Sequence, residues 1–152
     1  MHPEGMVDAL KEAHRVLSTG GIMIDVRPLS TNGPLEIVFE GGRDLAGLVD
    51  MSPGMDQDQA ADRAIEAVLT GKLYQEVRVE YFDFAYYWQT VAGMQEDIEE
   101  NWLGEVVITE EVWRKAHQLY NHRRPGTQVR MGCRMKLGVY SKIGQRDPVR
   151  QK

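Results

Sequence analysis

The sequence predicts an α/β chain with a short mixed sheet and inserted helices. Three stretches carry that expectation. "EAHRVLSTGGIMIDVRP", Glu12 to Pro28, reads as a helix that stops at two glycines and restarts as a strand. "YQEVRVEYFDFAYYWQ", Tyr74–Gln89, and "QVRMGCRMKLGVY", Gln128–Tyr140, alternate with the period of two that strands impose.

Met6, Leu10, Ala13 and Leu17 share one helical face, and Asp8, Lys11, Glu12 and Arg15 fill most of the remainder. Gly20 or Gly21 can take the left-handed conformation beyond the last turn, and Arg15 is placed to favour the carbonyl end. The following "GIMIDV" is short and nearly continuously apolar. That suits a strand covered on both faces, as in a parallel sheet, and Pro28 ends it.

Between Ser30 and Asp58, "TNGP", "EGGRD" and "SPGMD" punctuate the chain. Leu35–Phe39 and Leu45–Val49 are short strand candidates around the Gly41–Gly42 turn. Asp58 is a candidate cap for a helix running to about Leu69, with Ala61, Ile65, Val68 and Leu69 as its apolar stripe and Gly71 as its stop.

Along Tyr74–Gln89, Val77, Val79, Tyr81 and Ala85 point one way and Arg78 and Glu80 the other. Phe82, Phe84, Tyr86 and Trp88 then bring apolar groups to that second face. From Thr90 to about His122 the pattern is helical. Met94, Ile98, Trp102 and Leu103 mark one amphipathic helix, and Thr109 caps a second.

In the last element Val129, Met131, Cys133, Met135, Leu137 and Val139 face one side. Arg130, Gly132, Arg134, Lys136, Gly138 and Tyr140 face the other, which predicts a strand with one wet face. It is expected antiparallel beside Tyr74–Gln89, with its arginines facing Arg78–Glu80 and Cys133 in the core. The tail after Ser141 is expected to be disordered. The expected organisation is therefore one domain over 1–141, with a helical insertion at 90–122 and a flexible tail at 142–152.

Composition narrows the function. At 152 residues, 42% of them hydrophobic, the chain is long enough for a core. Its net charge of −5 gives no global drive toward nucleic acid. The charge is nevertheless uneven: residues 113–152 hold 11 basic residues against one acidic, and residues 1–112 hold 7 against 22. A basic segment lying against an acidic body explains this, and a nucleic-acid footprint is the competing explanation. The lone Cys133 excludes an internal disulfide and suits a reducing, cytoplasmic setting. No apolar run is long enough to predict a membrane span.

The stretch Glu12–Pro28 resembles the later part of class I S-adenosylmethionine-dependent methyltransferases, in which a helix ends in an Arg-Val-Leu-x-x-Gly-Gly turn feeding the fifth strand. Arg15, Val16, Leu17, Gly20 and Gly21 carry the match. "MHPEG" resembles the segment leaving the fourth strand, with His2 matching a histidine often found there and implied to lie near the cofactor. Helix 58–70 resembles the one after strand five, Tyr74–Gln89 strand six, and Val129–Tyr140 the antiparallel strand seven. Residues 90–122 resemble an insertion over the substrate. The resemblance implies an incomplete Rossmann-like methyltransferase fold, confined to the C-terminal half. The family's glycine-rich turn after strand one has no counterpart here. The implied cofactor, S-adenosylmethionine, is therefore expected to bind this chain alone weakly or not at all.

Asp25 and Arg27 fall at the carboxyl end of the predicted first strand, where α/β folds place ligands. Asp25 can orient a substrate group and Arg27 can clamp an anion; a salt bridge or loop anchor explains them equally well. Tyr86, Tyr87 and Trp88, where the inserted helices begin, suit an apolar or aromatic substrate, although aromatic strands also build cores. Arg27 and the Tyr86–Trp88 end are expected to line one crevice. No catalytic group stands out, and the histidines show no metal-ligand spacing. Two functions compete. One is the substrate-side part of a methyltransferase, inactive without its cofactor-binding half. The other is a non-catalytic dimeric binding or structural protein. Either way a partner is expected, a second copy or a chain supplying the missing half, because the predicted first strand lacks a neighbour on one side.

Overall fold

The computed structural model describes residues 3–122 and 124–144, with the backbone alone for Pro3 and Glu4. The His2 and tail expectations fall at least partly outside these: His2 and residues 145–152 are not among them. The first helix, α1 (Pro3–Val16), stops where predicted, and it is Gly20 that takes the left-handed turn, at φ 73°. Arg15 does not serve the carbonyl end. It forks onto Glu12 at 2.9 and 2.6 Å, and Lys142 Nζ instead donates to the Leu17 carbonyl at 2.7 Å.

Five strands and three further helices follow: β1 (Ile22–Pro28), β2 (Gly33–Phe39), β3 (Gly42–Val49), α2 (Met55–Thr70), β4 (Tyr74–Trp88), α3 (Val91–Asn101), α4 (Glu110–Asn121) and β5 (Gln128–Lys142). The chain is thus α/β, a five-stranded sheet flanked by helices. The hydrogen-bonded order is β1-β5-β2-β3, and β4 also pairs with β5. Gly21 carbonyl accepts from Lys142 N–H and Leu29 N–H donates to the Arg134 carbonyl, both at 2.8 Å, so β1 and β5 run in opposite directions. Ile143 N–H donates to the Leu73 carbonyl at 2.9 Å, which sets the end of β5 beside the start of β4, antiparallel as expected.

The described residues cluster into two compact units. Of these, the first comprises residues 3–27, Gln57–Glu80 and 136–144; the second comprises Pro28–Asp56, 81–122 and 124–135. In the first unit α1 and α2 pack through Val7, Leu10, Ile65 and Val68 onto Met23, Tyr74 and Tyr140. This covers one side of β1 only. Ile22, Ile24 and Val26 remain 48%, 61% and 50% exposed, so β1 is not sandwiched as its apolar run suggested. Asp58 does not cap α2 either. A 3-10 turn with Pro53 (Ser52–Gly54) starts the helix three residues earlier, and past its end Lys72, not Gly71, turns left-handed at φ 54°.

In the second unit β2 and β3 form the expected hairpin, Phe39 opposite Gly42, with a bulge after Leu35. Their inward residues Leu35, Ile37, Ala46 and Val49 meet Met94 of α3, Ala116 of α4 and Val129, Met131 and Cys133 of β5. Thr90 and Thr109 cap α3 and α4, accepting from Gly93 N–H at 2.9 Å and Val112 N–H at 3.3 Å. Leu103, assigned to an apolar stripe by spacing, lies beyond the end of α3 and is exposed.

The single wet face expected along β5 is not observed. Odd residues Val129, Met131 and Cys133 are buried in its first half, but Gly138 and Tyr140 are buried in its second. The two halves meet different helices, which a strict alternation of residue types cannot reveal.

Candidate functional site

The residues on β2 and β5 that alternate with the core of the second unit present charge. Glu36 is directly opposite Arg130, and the two form an ion pair that Arg43 joins through its Nε, 3.3 Å from Glu36 Oε1. Arg134 donates from Nη1 to Asp83 of β4 at 2.8 Å. Burial works against the charge of Arg130, but Tyr87 and Glu36 as hydrogen-bond partners raise its pKa on balance. With Asn32, Pro34, Phe84 and Cys133, these groups line a pocket of about 340 Å³. Burial, with the Asp83 carboxylate nearby, pushes the Cys133 thiol up, so at neutral pH it is not a thiolate nucleophile.

The first unit holds a smaller groove of about 240 Å³, walled by Met6, Leu10 and Ile65, floored by alanines and touched by Asp25. Asp25 accepts from Arg27 Nε at 3.0 Å. The same guanidinium donates to the Asp58 carbonyl at 3.0 Å and to Asp62, which also takes Lys136 Nζ at 2.7 Å. Arg27 is thereby an anchor between β1 and α2, with its pKa raised by Asp62 and Asp25 against the cost of burial.

Tyr86, Tyr87 and Trp88 belong to the second unit, whereas Asp25 and Arg27 belong to the first. Tyr86 packs edge-on against Phe84 and Trp102, and Trp88 donates its indole N–H to Asp97 at 2.8 Å. Both pack against the core cluster, and Tyr87, largely exposed, supports Arg130. His14 lies edge-on to Tyr74, and His117 and His122 bond Gln95 and the Gln118 carbonyl. No group of three or more potential metal ligands occurs among the described residues, and no helix among them is long and apolar enough to cross a membrane.

Gly20 lies before β1, at its amino end, and Gly41 makes the turn of a hairpin. Neither sits between the carboxyl end of a strand and a helix, where a backbone anion site forms.

Sequence reasoning missed Glu36, Arg43, Arg130 and Arg134 as a site. The signal was present in the arginines of the wet side of β5, but they were assigned to Arg78–Glu80. Those two pair with each other at 3.3 Å. The basic C-terminal segment instead meets acids from earlier in the chain: Arg124 with Asp44, Arg130 with Glu36, Arg134 with Asp83 and Lys136 with Asp62. Four of the eleven basic residues in that segment are thus paired within the chain. No family model matches the chain, and neither a curated protein nor a solved structure matches it.

Proposed function

We propose that this chain supplies the substrate-side part of a methyltransferase-like site and is inactive in methyl transfer until a cofactor-binding half joins it. One observation carries the reading: β5 lies antiparallel between β1 and β4, and β1 ends the strand order. An antiparallel last strand beside the strand likened to six agrees with the resembled half-fold, and the side of β1 that no strand pairs among the described residues is where strand four of that fold would sit. The Arg15–Gly21 turn, with Gly20 left-handed, supports the same reading. Because the resembled family's glycine-rich turn has no counterpart in the sequence, cofactor binding is assigned to another chain or another stretch of protein. A small-molecule substrate and a cytoplasmic setting, suited to the free, buried Cys133, complete the proposal.

The alternative is a non-catalytic dimeric binding protein. It is favoured by the pocket of the second unit, whose charged groups hold one another and whose thiol is kept protonated. Recovery of the tagged chain from its own cells, followed by calorimetric titration with S-adenosylmethionine, separates the two. Saturable binding by a complex with a second protein, and not by the chain alone, is the expected result. A homodimer that binds none of it, recovered without another component, rejects the methyltransferase reading in favour of the binding protein.

A further inference from the structure

We propose that the arginine-lined pocket of the second unit binds a small aromatic monocarboxylate, its carboxylate held by Arg43, Arg130 and Arg134 and its ring against Phe84. Three guanidiniums and two carboxylates, Glu36 and Asp83, line the pocket, so its side chains carry one uncompensated positive charge. A monoanion balances that charge. A phosphate dianion would overshoot it and stand beside Glu36 and Asp83 as well.

The donors are arranged before any ligand arrives. Glu36, only 8% exposed, holds Arg130 and also meets Arg43 through Nε; Arg134 pairs with the exposed Asp83 through Nη1. Each guanidinium has five N–H groups in a rigid fork, so these pairs leave donors over for a ligand carboxylate. Side chains already held lose little rotamer freedom on binding. A charge-assisted bond in a partly desolvated site is also stronger than one in bulk water.

The apolar part comes from Phe84 and Pro34. The Phe84 ring is half-exposed, and Tyr86 holds it edge-on with centroids 5.1 Å apart. The volume of about 340 Å³ suits a ligand of one ring. Two glycines beside the pocket let the chain pack closely there. A Cβ at Gly33 would fall on the Gly132 carbonyl oxygen, and one at Gly132 would come within 3.0 Å of the Pro34 ring and 3.4 Å of Arg130 Nη1. Asn32 accepts from the Met51 N–H at 3.4 Å through its carbonyl oxygen, so its amide N–H groups remain for the rim.

Titration of the full chain with benzoate, benzamide, acetate and inorganic phosphate tests the proposal, read by calorimetry and by the NMR signals of the arginine Nε–H groups. Benzoate is expected to bind saturably, to shift the Arg43, Arg130 and Arg134 signals, and to weaken as salt is added. Arg134→Gln, at an exposed pair, keeps the fold and weakens benzoate about tenfold, the loss of one charge-assisted hydrogen bond. Phe84→Leu weakens benzoate and leaves acetate unchanged. The proposal is overturned by the absence of saturable benzoate binding, by benzamide binding equally well, by phosphate binding more tightly than benzoate, or by shifts confined to other residues.

Discussion

Glu36 on β2 and Arg130 on β5 stand directly opposite each other and form an ion pair whose carboxylate is almost wholly removed from solvent. Removing one partner of such a pair leaves the other charge buried, which costs more than the pair itself is worth. Arg130→Leu is therefore expected to destabilise the chain by about 3 kcal/mol, the low end for a broken buried pair because Arg43 still reaches Glu36. Arg134→Ala, which breaks the pair with the exposed Asp83, should cost less than about 1 kcal/mol. Urea midpoints at unchanged slope measure both. Equal losses would mean that burial does not distinguish the two pairs.

The turn from α1 into β1 makes a second demand. Gly20 has φ 73°, and a Cβ at Gly21 would lie 2.8 Å from the Ser18 carbonyl oxygen. Replacing both glycines with valine is expected to cost more than about 1 kcal/mol, since a β-branched residue is strained at a left-handed position. Gly20→Asn alone should cost less, because Asn tolerates that region. An unchanged denaturant midpoint in the double variant would remove the turn from the account.

That turn was legible because a left-handed stop favours glycine, and Gly20 and Gly21 are the first glycines after the helical stripe. The caps Thr90 and Thr109 have equally local causes, a hydroxyl placed just before a helical pattern. The exposed side of β1 was not legible, because an apolar run says that a strand can be covered and not what is present to cover it. The switch of buried side along β5 was hidden for a related reason: Tyr140 has a polar tip, was assigned to the wet face, and is 1% exposed. The candidate pocket depends on which acids meet Arg130 and Arg134. Those partners, Glu36 and Asp83, lie 94 and 51 residues away in the chain, beyond the reach of any local pattern.

Asp62 makes stability depend on acid pH. Burial raises its pKa, but hydrogen bonds from Lys136 and Arg27 outweigh that and hold it below the usual aspartate range. The folded state thus prefers the carboxylate more than the unfolded state does. The contribution is complete above the unfolded value of about 3.9 and is lost as pH falls through the lowered folded value. Denaturant titrations from about pH 6 to about pH 2 should show stability falling over the acid end, with a shallower fall in Asp62→Asn. Parallel profiles for the two proteins would assign the acid sensitivity to other groups.

Among the described residues no strand pairs the outer edge of β1, which predicts association. Gly21 carbonyl and Leu29 N–H both bond to β5, so alternation along the strand directs the N–H and C=O of Ile22, Ile24 and Val26 outward. These are also the residues with exposed apolar side chains, and an edge of that kind is a template for pairing. Two copies related by a two-fold axis can join β1 to β1 antiparallel. Centring the axis on Ile24 sets Ile22 against Val26 and Met23 against Asp25. Centring it on Asp25 would oppose two carboxylates, which disfavours that register. The purified chain, without a second protein to fill that edge, is accordingly expected at twice 17.3 kDa in sedimentation equilibrium at micromolar concentration, with the Ile24 amide protected from hydrogen exchange. Ile24→Lys puts two ammonium groups at the axis, so it should return the chain to a single 17.3 kDa mass and release that amide to exchange. A wild-type monomer with rapid exchange at Ile24 would show that water suffices for this edge and that β1 does not join two copies.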